Sequence, residues 1–281
     1  MTKKPLAWVL DSTAYIPESL KQHPDVYVVP LNIHFGEKQY VDSIDLSTAE
    51  LYEKIKASKE SPKTSQPAVG EFAELYKKLA ENYEQAIAIH ISSELSGTLS
   101  SSRAGADIAN FPVTCIDSKA LSYGMTKLVT DGIKMLETGS TITEIKEHLE
   151  KLAGTLHNYI LIGSLDQLYK GGRMSSIQFY LGSLLKVKPI VQIMSDGRLQ
   201  AIDKVRSEKR ALQYLVDRVV ESHHAGRKKI YLMHGNIFDK ATHLKNLISE
   251  QIPDLEVEIG EIGSILAVHG GEGTLGILWF D

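Results

Sequence analysis

At 281 residues, 43% hydrophobic and 23% charged, the chain has the make-up of a soluble globular protein too long for one small core, so about two domains are expected. A net charge of −4 with no basic run excludes a nucleic-acid protein, which needs a Lys/Arg stripe against phosphates. No stretch approaches the roughly 20 apolar residues of a membrane span, the five apolar residues after Pro5 are too short for a secretory leader, and the single cysteine, Cys115, can form no internal disulfide.

The cytoplasm is therefore the expected location. Taken in order, Trp8-Val9-Leu10 closes a strand over 6–10 and runs into Asp11-Ser12-Thr13. A second strand is predicted over 26–35. Thr64-Ser65-Gln66-Pro67 opens a helix over 67–83, where Val69, Phe72, Ala73, Tyr76, Leu79, Ala80 and Tyr83 recur at helical spacing. The strand 86–91 is followed by Ser92-Ser93-Glu94-Leu95-Ser96-Gly97-Thr98. Ser96 begins a helix from Leu95 to about Ala109, as its N-cap or as a ligand for an anion. The strand 112–116 ends in Asp117-Ser118.

Thr141, Thr143 and Glu144 start a helix over 141–153, and a break follows near Gly154. The expected division is 1–154 and 155–281. Further strands are predicted at 158–163, 187–194, 229–233, 256–262 and 275–280, with a helix over 207–222 and another around Leu244, Leu247 and Ile248. Lys170-Gly171-Gly172-Arg173 ends a short helix, 164–169. It reads either as a basic helix stop or as a cationic hook for a phosphate or a partner, to which Lys204-Val205-Arg206 adds. The alternation of runs predicts an α/β fold with substantially parallel sheets, two α/β domains and a ligand enclosed between them.

The hydroxyl clusters at strand ends suit an anionic group. Gly271-Glu272-Gly273-Thr274-Leu275-Gly276 matches a dinucleotide fingerprint, but too little chain follows it for the required helix, so it reads as a tight turn between strands. The histidines and lone cysteine build no metal site, and no cofactor is expected. His269 lies at a predicted strand end after Ile265-Leu266-Ala267-Val268, within reach of a ligand. A serine esterase or thioesterase using Ser96 and His269 is one alternative, without a nucleophile elbow or an acidic partner. A binding module for another small anion is a second.

In order and spacing, these segments resemble the DegV family of bacterial fatty-acid-binding proteins over nearly the full chain. Asp11-Ser12-Thr13-Ala14, Val29-Pro30-Leu31, Thr64-Ser65-Gln66-Pro67, Ser96-Gly97-Thr98, Asp117-Ser118, Lys170-Gly171-Gly172-Arg173, Lys188-Pro189-Ile190, Asp196-Gly197 and His269-Gly270-Gly271-Glu272-Gly273 carry the resemblance. It implies a carrier, not an enzyme, that encloses a long-chain fatty acid. It also implies presentation of the carboxylate to a separate ATP-dependent fatty acid kinase, whose acyl phosphate feeds phospholipid synthesis.

By motif position, Thr64 and Ser96, with Gly97 and Thr98, would hold the carboxylate, and His269 would lie close by. Arg173, Arg206 and Lys170 would face the acyl phosphate or the kinase. Glu272 departs from the family's more frequent proline and is expected to alter charge near the head group. Phe179, Tyr180, Leu181, Leu184, Leu185, Leu121 and Met125 are candidates for the tail tunnel. A monomer with no stable membrane anchor is expected.

Overall fold

A computed structural model describes residues 2–58, 60–173 and 187–281. The first half runs β1 (Lys4–Asp11), α1 (Glu18–Lys21), β2 (Val26–Val29), β3 (Asn32–Phe35), β4 (Lys38–Val41), α2 (Thr48–Ala57), β5 (Lys63–Ser65), α3 (Val69–Asn82), β6 (Tyr83–His90), α4 (Thr98–Ala109), β7 (Val113–Asp117), α5 (Tyr123–Glu137) and α6 (Ile142–Ala153). The second runs β8 (Leu156–Leu161), α7 (Leu165–Lys170), β9 (Lys188–Ile193), β10 (Leu199–Val205), α8 (Glu208–His224), β11 (Lys229–His234), α9 (Phe238–Gln251), β12 (Glu256–Glu261), α10 (Ser264–Gly270) and β13 (Leu275–Phe280).

Strands β2-β1-β6-β7 form a wholly parallel four-stranded sheet. Its strands lack polar alternation because both faces are covered. Leu6, Trp8 and Leu10 of β1 pack with Met125, Leu128 and Leu149 on one side. Ala7 and Val9 pack with Phe72 and Tyr76 on the other. The helix expected at 141–153 is present and starts as its sequence dictates. Thr141 Oγ1 accepts from the Glu144 amide at 3.3 Å while Glu144 Oε2 accepts from the Thr141 amide at 2.8 Å.

Three expectations are corrected. The strand predicted over 26–35 is two strands in different sheets. Pro30 has no N–H for a ladder, and beyond it β3 pairs antiparallel with β4 and β5 in a small sheet of its own. The six-stranded sheet of the second half, β10-β9-β8-β13-β11-β12, is mostly antiparallel, and only β11 and β12 run parallel. A hairpin turn at Asp196-Gly197 (φ +88° at Gly197) reverses the chain between β9 and β10, and β13 returns between β8 and β11. Finally, 264–270 is a helix rather than a strand, so the glycine-rich turn after it joins a helix to β13.

Helix α10 belongs to the second half in sequence, where it lies against α7, but its buried side chains complete a core of the first half. Ile265, Ala267 and Val268 are buried with Ile33, Leu51 and Tyr52 of the small sheet and α2. Ser264 Oγ lies 3.0 Å from Thr48 Oγ1 at its start. Beside it, Asp42 is buried, and desolvation raises its pKa against the opposing hydrogen bonds of Ser12, Ser264 and Ser43. The stack of Tyr123 on Tyr231, ring centroids 3.5 Å apart, joins the halves again, in a cluster that Leu266 of α10 also packs against.

Candidate functional site

Between the two large sheets lies a cavity of about 120 Å³. A single buried water needs about 10–15 Å³, so the space takes on the order of ten water-sized groups. Its walls are apolar. Leu95 and Leu121 come from the first half and meet Ile162, Leu168, Ile193 and Leu199 of the second. Farther along, Met233, Ile262, Leu266 and Leu278 continue the lining.

Four polar groups of the wall, Thr64, Ser96, Arg173 and His269, gather where β5, α10, α7 and the turn before α4 meet, while Ser122 and Asn158 line it elsewhere. Thr64 sits on β5 opposite Ile33 of β3. Its Oγ1 is 2.8 Å from Nε2 of His269, which occupies the last turn of α10. His269 Nδ1 is buried and has no hydrogen-bond partner among the described residues. Desolvation first, and the Arg173 cation second, push the His269 pKa down to about 3, so the imidazole is neutral at pH 7.

The basic motif wraps this histidine. Gly171 closes α7, and a Cβ there would lie 2.3 Å from His269 Nδ1. Gly172 takes φ +74°, which glycine adopts without strain. Arg173 then turns inward as a half-buried part of the cavity wall. Its Nη1 donates to Gly171 O at 2.7 Å and its Nε to Leu95 O at 3.4 Å. Its pKa is lowered by desolvation, with no acidic neighbour among the described residues contributing.

Ser96 lines the cavity from the turn before α4. The helix begins at Thr98, with Gly97 as N-cap, so Ser96 lies outside it rather than capping it as expected. The turn from Ser92, whose carbonyl accepts the Ser96 amide at 3.1 Å, delays the start. Ser96 Oγ is 2.8 Å from Thr98 Oγ1 and accepts from the Thr98 amide at 3.3 Å.

The structure thus brings Thr64, Ser96, Arg173 and His269 into one wall, with Gly97 and Thr98 behind Ser96. Lys170 and Arg206 are exposed and outside it, Lys170 paired with Asp166 at 2.7 Å. Leu121 lines the cavity, but Met125 is core, 3.3 Å from Thr13 Oγ1. Phe179, Tyr180, Leu181, Leu184 and Leu185 lie outside the described residues. The Glu272 carboxylate sits on the surface, 2.7 Å from Asn236 Nδ2 and 3.3 Å from Lys56 Nζ, and is not part of the lining.

The other hydroxyl clusters shape strand ends. Asp11 accepts from the amides of Thr13 (3.0 Å) and Ile91 (2.9 Å) and pairs with His90 at 3.1 Å. Asp117 accepts from the amides of Ser93 and Lys119. Sequence reasoning gave no role to the polar wall residues Gln66, Ser122, Asn158 and Thr274. Asn158 is consumed by Ile193, to which its side chain bonds through both amide groups at 2.7 and 2.8 Å. Gln66 was legible as part of a motif but carried no role.

The histidine sets a pH dependence. Its folded pKa, about 3, lies below its ordinary 6.5. Between those values the unfolded chain binds the extra proton, so this contribution is intact above about 6.5 and is lost as pH falls toward 3. Urea unfolding of the wild type is expected to lose stability faster over that window than unfolding of His269→Gln. Parallel curves would contradict the placement.

A family model described as an uncharacterised protein, DegV family, matches residues 5–281. A DegV domain-containing protein of Halalkalibacterium halodurans is 36% identical over 283 residues, covering 100% of this chain and 99% of its own. The structure is similar to that of DegV from Bacillus subtilis, described as a fatty acid binding protein, with a TM-score of 0.89 and 32% identity over 99% of this chain and 100% of that one. It is also similar to a fatty acid binding DegV family protein of Streptococcus agalactiae, with a TM-score of 0.90 and 31% identity over 98% of each chain. Among the described residues no helix is long and apolar enough to cross a membrane. The match in sequence and in fold runs from end to end, and the chain belongs to the DegV family.

Proposed function

We propose that this protein binds a long-chain fatty acid in the cavity between its sheets and presents the carboxylate to a separate ATP-dependent kinase. The observation that carries the reading is the cavity itself: a largely apolar wall with the Thr64 and Ser96 hydroxyls, the His269 imidazole and the Arg173 guanidinium gathered in one place. The solved relatives described as fatty acid binding support it. Each buried methylene contributes about 0.8 kcal/mol, so a chain of about fifteen gains on the order of 12 kcal/mol before ordering costs. Withdrawing the carboxylate from water costs several kcal/mol unless donors replace the water. Thr64 and Ser96 supply hydroxyls, and Arg173 supplies a cation with no competing carboxylate among the described residues.

In this reading residues 1–154 hold the head group, and 155–281 supply most of the tail pocket and the basic surface. Lys170 and Arg206 face the kinase, and the carrier works as a cytoplasmic monomer. The esterase reading fits less well. His269 bonds Thr64 rather than Ser96, and an imidazole with a pKa of about 3 is a poor base at neutral pH.

Organic extraction and mass spectrometry of the purified protein are expected to yield a long-chain fatty acid. Ser96→Ala should weaken its binding by about tenfold, the scale of one hydrogen bond to a charged group. Protein that carries no fatty acid and takes up none when offered would overturn the reading.

A further inference from the structure

We propose that Gln66 is a latch over the head-group end of the cavity, one that holds the acyl chain and swings out to admit or release it. The inference rests on the fatty-acid reading above. Among the described residues that line the cavity, Gln66 is the one that is exposed, so it stands between the cavity and solvent. It leaves the chain two residues after Thr64 and reaches across to the turn that carries Ser96. Its Nε2 donates to Ser101 Oγ, in α4, at 3.1 Å. It therefore spans from the end of β5, which carries Thr64, to α4, whose start directly follows Ser96.

Gly97 is the seat of this latch. A Cβ at 97 would lie 2.5 Å from Gln66 Oε1 and 2.6 Å from Nε2, so the amide rests where any other side chain would begin. The backbone at Gly97 (φ −77°) suits alanine as well as glycine. What Gly97→Ala displaces is the far end of a flexible side chain. It opens the latch without altering Gln66.

Stopped-flow fluorescence with cis-parinaric acid, an 18-carbon fluorescent fatty acid, tests the proposal on the full chain. Gln66→Ala is expected to speed release about tenfold, the scale of one hydrogen bond, and to speed uptake as well. Gln66→Asn, one methylene too short to reach Ser101, should behave the same way. So should Gly97→Ala, and the double variant Gln66→Ala/Gly97→Ala should be no faster than either alone.

Release at the wild-type rate from Gln66→Ala, or multiplied effects in the double variant, would overturn the latch. Faster release with unchanged uptake would also overturn it, since Gln66 would then be a head-group ligand. Failure of the wild type to take up the probe would instead sink the fatty-acid reading itself.

Discussion

Gly276→Leu is expected to cut the affinity for long-chain fatty acids by about two orders of magnitude while leaving the protein folded. Gly276 lies on β13 in the cavity wall, on the same face as Leu278 two residues on. A Cβ there would meet nothing closer than Ile160 Cγ1 at 3.8 Å, an ordinary contact. The new side chain enters space the tail needs, not space the core already fills. Four displaced methylene-sized groups at about 0.8 kcal/mol each correspond to about a hundredfold loss of affinity. Titration calorimetry should show that loss for an 18-carbon acid and a smaller one for a 10-carbon acid. The melting temperature should hold or rise, because glycine inside a strand is itself destabilising. Unchanged affinity for the longer acid would place the tail elsewhere.

Gly163→Ala is expected to do the reverse, unsettling the fold first and the site with it. A Cβ at 163 would sit 2.2 Å from the Glu272 carbonyl oxygen and 2.7 Å from the Thr274 amide nitrogen. Both belong to backbone and cannot rotate away. The Gly163 amide also donates to Thr274 Oγ1 at 3.1 Å, and Thr274 in turn donates to the Gly270 carbonyl at 2.8 Å. Forcing this turn outward costs about 1–3 kcal/mol. Because the turn directly follows His269, fatty-acid affinity should fall in the same variant. Thermal melts at saturating and zero fatty acid separate the two losses, and a variant as stable as wild type would contradict the close approach.

Much of the architecture was legible where the physics is local. The capping pair Thr141 and Glu144 announced α6, and unbroken apolar runs announced the doubly covered strands β1 and β6. The site motifs also stood out, because Thr64, Ser96 and His269 lie beside turns whose composition is distinctive. What escaped was set by distant partners. Strands β4 and β5 are short and polar, and exist because β3 lies between them. The run Ile265-Leu266-Ala267-Val268 suits a strand as well as a helix, and only its seat against Ile33, Leu51 and Tyr52 decides. Arg173 looked like a surface cation because no sequence pattern shows that the Gly171-Gly172 turn folds it inward.

The crossing of α10 into the first half has a consequence for how relatives exchange parts. Thr64 and His269 stand 205 positions apart yet share one hydrogen bond, and Ile265 completes a core begun by Ile33. A chimera joined at residue 154 would therefore set one parent's α10 against the other parent's small sheet. It would mismatch the head-group pair and that core at the same junction. Grafting 264–270 together with 31–65 keeps them matched. For recombination, those two distant stretches make a single heritable module.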